Sequence, residues 1–197
     1  MGNVCMPCLN KLKIKYNNMS TESRANPAVE INGSSVTNAA VTCRSGPHGK
    51  AVKSIVDSAS NHYKVSGTGI MLGSCALDCD TAFWQIKVGL NPEDLRIGLR
   101  RYSLKSPVPL DGTLDDEANK SESFYLKLEN EGDTILKTGD VVGVYWDQTD
   151  LPMLSFTINN KPIDSASILR VRPATDVYPA ISVQNGATCD VIFDGKE

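Results

Sequence analysis

The sequence predicts an all-β domain, a two-sheet antiparallel β-sandwich with little helix, and three observations carry that reading. Apolar and polar residues alternate in short stretches from about residue 50 onward. Turn signals separate the stretches, and no segment sustains the 3.6-residue period of an amphipathic helix. In Phe83-Trp84-Gln85-Ile86-Lys87-Val88 the period of two places Trp84, Ile86 and Val88 on one face, Gln85 and Lys87 on the other. Asp94-Leu95-Arg96-Ile97-Gly98-Leu99-Arg100 gathers Leu95, Ile97 and Leu99 in the same way. Val141-Val142-Gly143-Val144-Tyr145-Trp146 and Leu154-Ser155-Phe156-Thr157-Ile158 follow, and Tyr178-Pro179-Ala180-Ile181-Ser182-Val183 and Cys189-Asp190-Val191-Ile192-Phe193 close the series. Short strands at regular spacing bury their inner faces by packing as two sheets. Ile158-Asn159-Asn160-Lys161-Pro162 reads as a tight hairpin, because asparagine tolerates the positive φ that a type I′ turn requires. Residues 111–123, with Asp115, Asp116, Glu117 and Glu122, read as a long acidic surface loop.

A chain of 197 residues with 41% hydrophobic content suits one globular domain plus a tail. The net charge is −3, but residues 1–24 hold Lys11, Lys13, Lys15 and Arg24 against Glu22, which leaves −6 for the remainder. A basic tail on an acidic body points to different partners for each part and gives no footprint for nucleic acid. The expected organisation is a basic tail over 1–16, an Asn- and Ser-rich linker over 17–49 with an edge strand at Ala28-Val29-Glu30-Ile31, and the sandwich over 50–197. No apolar run approaches the ~20 residues of a membrane-spanning helix. No secretory signal opens the sequence, so a cytoplasmic location with reduced thiols is expected for Cys5, Cys8, Cys43, Cys75, Cys79 and Cys189.

Three blocks of the strand sequence resemble SPRY domains in family order. They are Ala82-Phe83-Trp84-Gln85-Ile86-Lys87-Val88 with Leu95-Arg96-Ile97-Gly98-Leu99; Thr138-Gly139-Asp140-Val141-Val142-Gly143-Val144 through Asp147 to Leu154-Ser155-Phe156-Thr157-Ile158-Asn159-Asn160; and Val177-Tyr178-Pro179-Ala180-Ile181-Ser182-Val183 through Cys189-Asp190-Val191-Ile192-Phe193-Asp194. Among SPRY proteins the chain is most similar to a small stand-alone member, on Ser66-Gly67-Thr68-Gly69, Pro27-Ala28-Val29 and the cysteine-bearing N-terminus. One departure is Asn159-Asn160, where the family has Asn-Gly. Glycines inside strands mark close approach of backbone or rings, and Trp84 and Trp146 are the neighbours expected to use the space beside Gly98 and Gly143.

The resemblance implies a concanavalin-like or jelly-roll-like sandwich whose loops at one end form a shallow pocket for another protein or a short peptide, with no cofactor. Tyr125, in Ser123-Phe124-Tyr125-Leu126, matches a pocket tyrosine of the peptide-binding relatives, and Gln184-Asn185-Gly186 matches their late loop. Those relatives carry an aromatic where Asn185 stands, which puts their ligand motif in doubt here. Residues 57–64, with Asn61, His62 and Tyr63, are expected to supply an early loop.

No catalysis is expected. Neither His48 nor His62 stands in an arrangement of nucleophile and base. Asp147 and Asp150 read as solvating a strand connection, and Asp78 and Asp80 lack the further oxygen ligands of a calcium site. A zinc site from Cys5, Cys8, Cys75 and Cys79 has weak spacing support. The alternatives are a carbohydrate-active hydrolase or lyase on a similar sandwich, which needs paired carboxylates across a cleft, and a structural subunit of a fixed complex. Gly2 after the initiator methionine, with Cys5 and Cys8 behind it, suits myristoylation and palmitoylation, and Lys11, Lys13 and Lys15 would favour an acidic leaflet. Met6 stands where the myristoylation pattern has Ser or Thr.

Overall fold

One long strand bends and thereby joins two sheets. The computed structural model describes residues 44–57, 62–127, 135–171 and 176–193, all within the compact unit Ala40–Glu197. β3 (His62–Gly73) is flanked along its first half by β2 (Ala51–Asp57) and β12 (Thr188–Ile192). Its second half lies between β1 (Ser45–His48) and β11 (Val177–Val183). The strand turns between them at Gly67 and Gly69, whose φ values of 104° and 130° favour glycine. A Cβ on Gly67 would also strike the Ala51 carbonyl. A strand that changes sheets by a bend is how such a sandwich makes its corner.

From this spine the first sheet continues through β11 to β5 (Leu95–Arg101) and β6 (Ser123–Tyr125). The second runs from β12 through β4 (Thr81–Val88), β7 (Val141–Asp147) and β8 (Met153–Ile158) to β10 (Ile168–Leu169), with β9 (Lys161–Pro162) hairpinned on β8. All pairings are antiparallel. Among the described residues helix is confined to three-residue 3-10 turns at Pro92–Asp94, Lys120–Glu122 and Asp164–Ala166.

The alternation read in the sequence is the alternation of the core. Trp84, Ile86, Val88, Val142, Val144, Trp146, Leu154, Phe156 and Ile158 pack from one sheet against Leu95, Ile97, Leu99, Val177, Ile181 and Val183 from the other. A second apolar cluster was not expected. Ile70, Leu72, Tyr178 and Ala180 on the outer face of the first sheet are covered by Tyr102, Leu110 and Leu114, with Tyr125 beside them. β11 is consequently buried at all seven positions.

The acidic segment is therefore more than a solvated loop. Leu114 is fully buried, and its N–H donates to Ser182 Oγ at 3.1 Å. Asp116 accepts from the Thr113 N–H at 2.7 Å and from its hydroxyl at 2.8 Å, and Asn119 donates to the Thr113 carbonyl at 2.8 Å. The linker expected through residue 49 ends earlier, because Ser45–His48 forms β1 against Gly73 and Met71 of β3. The expected edge strand at 28–31 lies outside the described residues.

The hairpin explains the missing Asn-Gly. Asn159 and Asn160 both have positive φ, 50° and 63°. Asn159, which the family pattern shares, accepts from the Val141 N–H at 2.9 Å and donates to Asp140 at 2.9 Å; the departure is Asn160 alone, which adopts the positive φ glycine would take. The tryptophans are not the neighbours of the strand glycines. A Cβ on Gly98 would strike the Phe124 carbonyl, because backbones approach there across β5 and β6. At Gly143 it would meet the Thr157 hydroxyl and the rings of Phe83 and Tyr145, which pack on each other at 4.4 Å.

Candidate functional site

The connections 89–94, 137–140 and 184–187 and the β8–β9 hairpin gather at one end of the sandwich, locked by backbone bonds. Gly89 donates to Thr188 at 2.9 Å, Thr188 to Leu90 at 3.0 Å, and Gly139 to Val88 at 2.8 Å. Pro92, with its φ preset, opens the 3-10 turn that leads into β5. Gln184 and Asn185 both donate to Asp94 Oδ1, at 3.2 and 3.1 Å, and Asn91 donates to the Asn185 carbonyl at 2.7 Å. Asn185 and Gly186 take positive φ of 48° and 83° to make this turn. The late-loop amides thus hold the 3-10 turn in place.

On the other side of that turn lies a pocket of about 380 Å³ along the first three residues of β5. Leu95, Ile97, Leu126 and Leu136 give it apolar walls, and Ile135, 78% exposed, stands at its rim. Arg96 crosses the outer face. It donates to Asp115 Oδ2 at 2.8 Å and to the Glu93 carbonyl at 2.6 Å, tying the acidic segment to the turn. Asp115 Oδ1 is buried without a donor among the described residues. Burial raises the Asp115 pKa, but the hydrogen bonds it accepts and the Arg96 charge outweigh burial and hold it below the ordinary carboxylate range. Glu93 and Asp115 both line the pocket, and Arg96 holds Asp115 ionised.

Tyr125 lies in β6 at 9% exposure, between this pocket and the second apolar cluster, with Lys127 Nζ 5.4 Å from its ring centroid. It also borders a cavity of about 420 Å³ between the sheet edges β6 and β10, lined by Lys120, Phe124, Ser165 and Ile168. Of the early loop, the described His62 and Tyr63 lie away from the site. Tyr63 is a core residue of β3, 5% exposed and edge-to-face with Phe193 at 5.9 Å. It pairs with Val191, whereas the late loop adjoins Thr188, opposite Ser66, so His62 and Tyr63 sit toward the other end. Asn61, Gly2, Cys5 and Cys8 lie outside the described residues.

The other titratable candidates occupy structural positions. Asp147 accepts from the Thr149 N–H and hydroxyl at 2.9 and 2.7 Å, closing the β7–β8 connection. Burial pushes the Cys189 thiol far up, and the nearby Asp190 charge adds to the shift. His48 Nδ1 lies 3.0 Å from the Gly49 carbonyl beside the bulged end of β1. Among the described residues no three His, Cys, Asp or Glu side chains come together to hold a metal.

Arg96, Asp115, Glu93, Lys127 and Ile135 were not legible as site residues. The one available signal was Arg96 on the polar face of β5, and no spacing rule connects it to a loop residue nineteen positions away.

No protein-family model matches the sequence, and no curated protein is similar enough to match. Several solved structures share its architecture. The neuralized NHR1 domain of Drosophila melanogaster is 12% identical, with a TM-score of 0.53 over 77% of this chain and 96% of that one. A human SPRY domain is 15% identical over 74% and 99% of the two chains with a TM-score of 0.47, and the SPRY domain of human HERC1 is 14% identical over 77% and 99% with 0.45. At such identity the NHR1 likeness is one of fold alone, and it agrees with the described strands: this chain is an all-β, antiparallel two-sheet sandwich.

Proposed function

We propose that the chain is a SPRY-type binding module that holds a short segment of another protein at the pocket along residues 95–97, and that it performs no catalysis. The observation that carries this reading is the combination at that pocket of a rigid strand edge, apolar walls and an exposed aliphatic rim beside fixed charges. Apolar walls interleaved with placed charged groups can seat the side chains of a bound segment and orient it. The sequence resemblance supplies the class of ligand, a peptide. Gln184 and Asn185 serve it by fixing the turn rather than by touching the ligand.

The test compares capture of partners by the intact protein and by an Ile135→Asp, Lys127→Glu variant. Both positions are exposed, so folding is expected to be retained and checkable by circular dichroism. Loss of specific capture supports the pocket, and undiminished capture by the variant removes it. Tethering at the cytoplasmic face of a membrane through acylated Gly2, Cys5 and Cys8 is a further part of the proposal, supported by the three lysines that follow. Fatty-acid labelling that is equal in the parent and in a Cys5→Ser, Cys8→Ser variant would exclude the two cysteines.

A further inference from the structure

Among the described residues one edge of the second sheet, on the side of the sandwich away from the pocket, is β2. Among the described residues β2 pairs with β3 alone. Every second residue of such an edge turns its N–H and C=O outward, and proteins usually blunt it with a short strand, a bulge or charges at the centre. β2 is seven residues long with Ile55 63% and Val56 52% exposed near its middle. Ile55 shares its face with Lys53 and Asp57, one of each charge, at two residues to either side.

That spacing is self-complementary, and we propose that β2 is a homodimer edge on which two copies pair antiparallel about a twofold axis through Ile55. About that axis Ile55 meets Ile55 of the second copy, Lys53 meets its Asp57, and Asp57 meets its Lys53. Opposite charges and apolar side chains placed directly across a ladder are the favourable cross-strand pairs. Neighbouring registers lose this match. An axis through Ser54 sets Lys53 against Ile55, and an axis through Lys53 sets lysine on lysine. The contact is isologous and closes at two copies, so it extends the second sheet without building a fibre. β2 flanks β3, whereas the pocket lies on β5, so each copy would keep its pocket open.

Sedimentation velocity of the full-length protein from micromolar to millimolar concentration tests the inference. The expected result is a dimer fraction that rises with concentration and is abolished by Ile55→Lys. Lys53→Asp alone places two acidic pairs across the axis and should weaken the dimer by roughly tenfold or more, while Lys53→Asp with Asp57→Lys should restore it. Restoration by the double swap is a readout that a folding defect cannot imitate. A monomer throughout overturns the proposal, and so does a dimer indifferent to these changes or a double swap that fails to rescue. Slow hydrogen exchange at the outward-facing N–H groups of β2, those not bonded to β3, at concentrations where the protein is monomeric overturns it too, since the edge would then be covered within one chain.

Discussion

Trp84→Ala is the sharpest test of the core. Trp84 is 2% exposed in β4, opposite Val144 of β7, and its face continues with Ile86 and Val88. Truncating a buried aromatic ring removes its transfer free energy and leaves a cavity, about 3–5 kcal/mol in all. One detail pulls the value toward the lower end. The Trp84 indole N–H is buried without an acceptor among the described residues, and a buried donor left unpaired costs about 1–3 kcal/mol, which the truncation relieves. The expectation is therefore about 3 kcal/mol for Trp84→Ala, a fall of roughly 6–12 °C in Tm for a domain of this size. Trp84→Phe separates the two contributions, because it keeps most of the ring volume and deletes the N–H. Its cost should stay within about 1.5 kcal/mol. Urea unfolding followed by far-ultraviolet circular dichroism, with Trp146 as the remaining fluorophore, measures both. Coincident midpoints for Trp84→Ala and the parent would refute the packing argument. A Phe variant as damaged as the Ala variant would show that the indole N–H is satisfied.

Three further substitutions probe the rest of the fold. Gly98→Ala places a Cβ on the Phe124 carbonyl and 2.6 Å from Tyr125 Cα, both backbone atoms, so β6 must move away. It should cost about 1–3 kcal/mol and hasten amide exchange in β6, with Gly143→Ala milder because the Thr157 hydroxyl and two rings can rotate; equal melting temperatures for the two would contradict this. The Asp115 carboxyl is held below its ordinary value, so its ion pair adds stability above the unfolded carboxyl pKa and loses it as pH falls through the lower folded value. The parent's advantage over Arg96→Gln in urea midpoint should thus be flat near neutrality and shrink below about pH 4, and an advantage that persists undiminished at lower pH would dismiss the pair as its source.

Strands buried on one face were legible because burial writes a period of two into the sequence, as in β4 with Trp84, Ile86 and Val88. β3 was not, although it is the spine. Its Ser66-Gly67-Thr68-Gly69 reads locally as a turn, and at the bend it is one, but flanking strands on both sides carry the ladder through it. β1 contains Gly46-Pro47 and β6 has three residues, so neither offers enough alternation to detect. Tyr63 was placed in a loop for the same reason: nothing near it marks where β2 ends and β3 begins. The resemblance led to Tyr125 and to the late loop, whereas the charged lining of the pocket comes from segments whose meeting is a property of the fold.

The pocket itself follows from a mismatch of strand lengths. β5 has seven residues, but β6 pairs only with residues 98–100 of it. Past Tyr125 one more backbone bond, from Leu126 to the Ile97 carbonyl at 2.8 Å, keeps the chain alongside β5. Had β6 continued in register, its side chains would fill the space that Leu95, Ile97 and Leu136 now line. Arg96 stabilises this unfinished edge by bonding sideways to Glu93 and Asp115, segments that belong to neither sheet. Leu95 and Ile97 therefore serve twice, packing in the core and lining the pocket. Leu95, Ile97 and Leu99 hold the sandwich together, and the segments that flank Arg96 are anchored to it by the buried Leu114 and Leu126. Under the proposed binding role, the exposed residues of these segments, not Leu114 or Leu126, are where a different partner would be accommodated, as expected where binding residues sit on loops over a rigid scaffold.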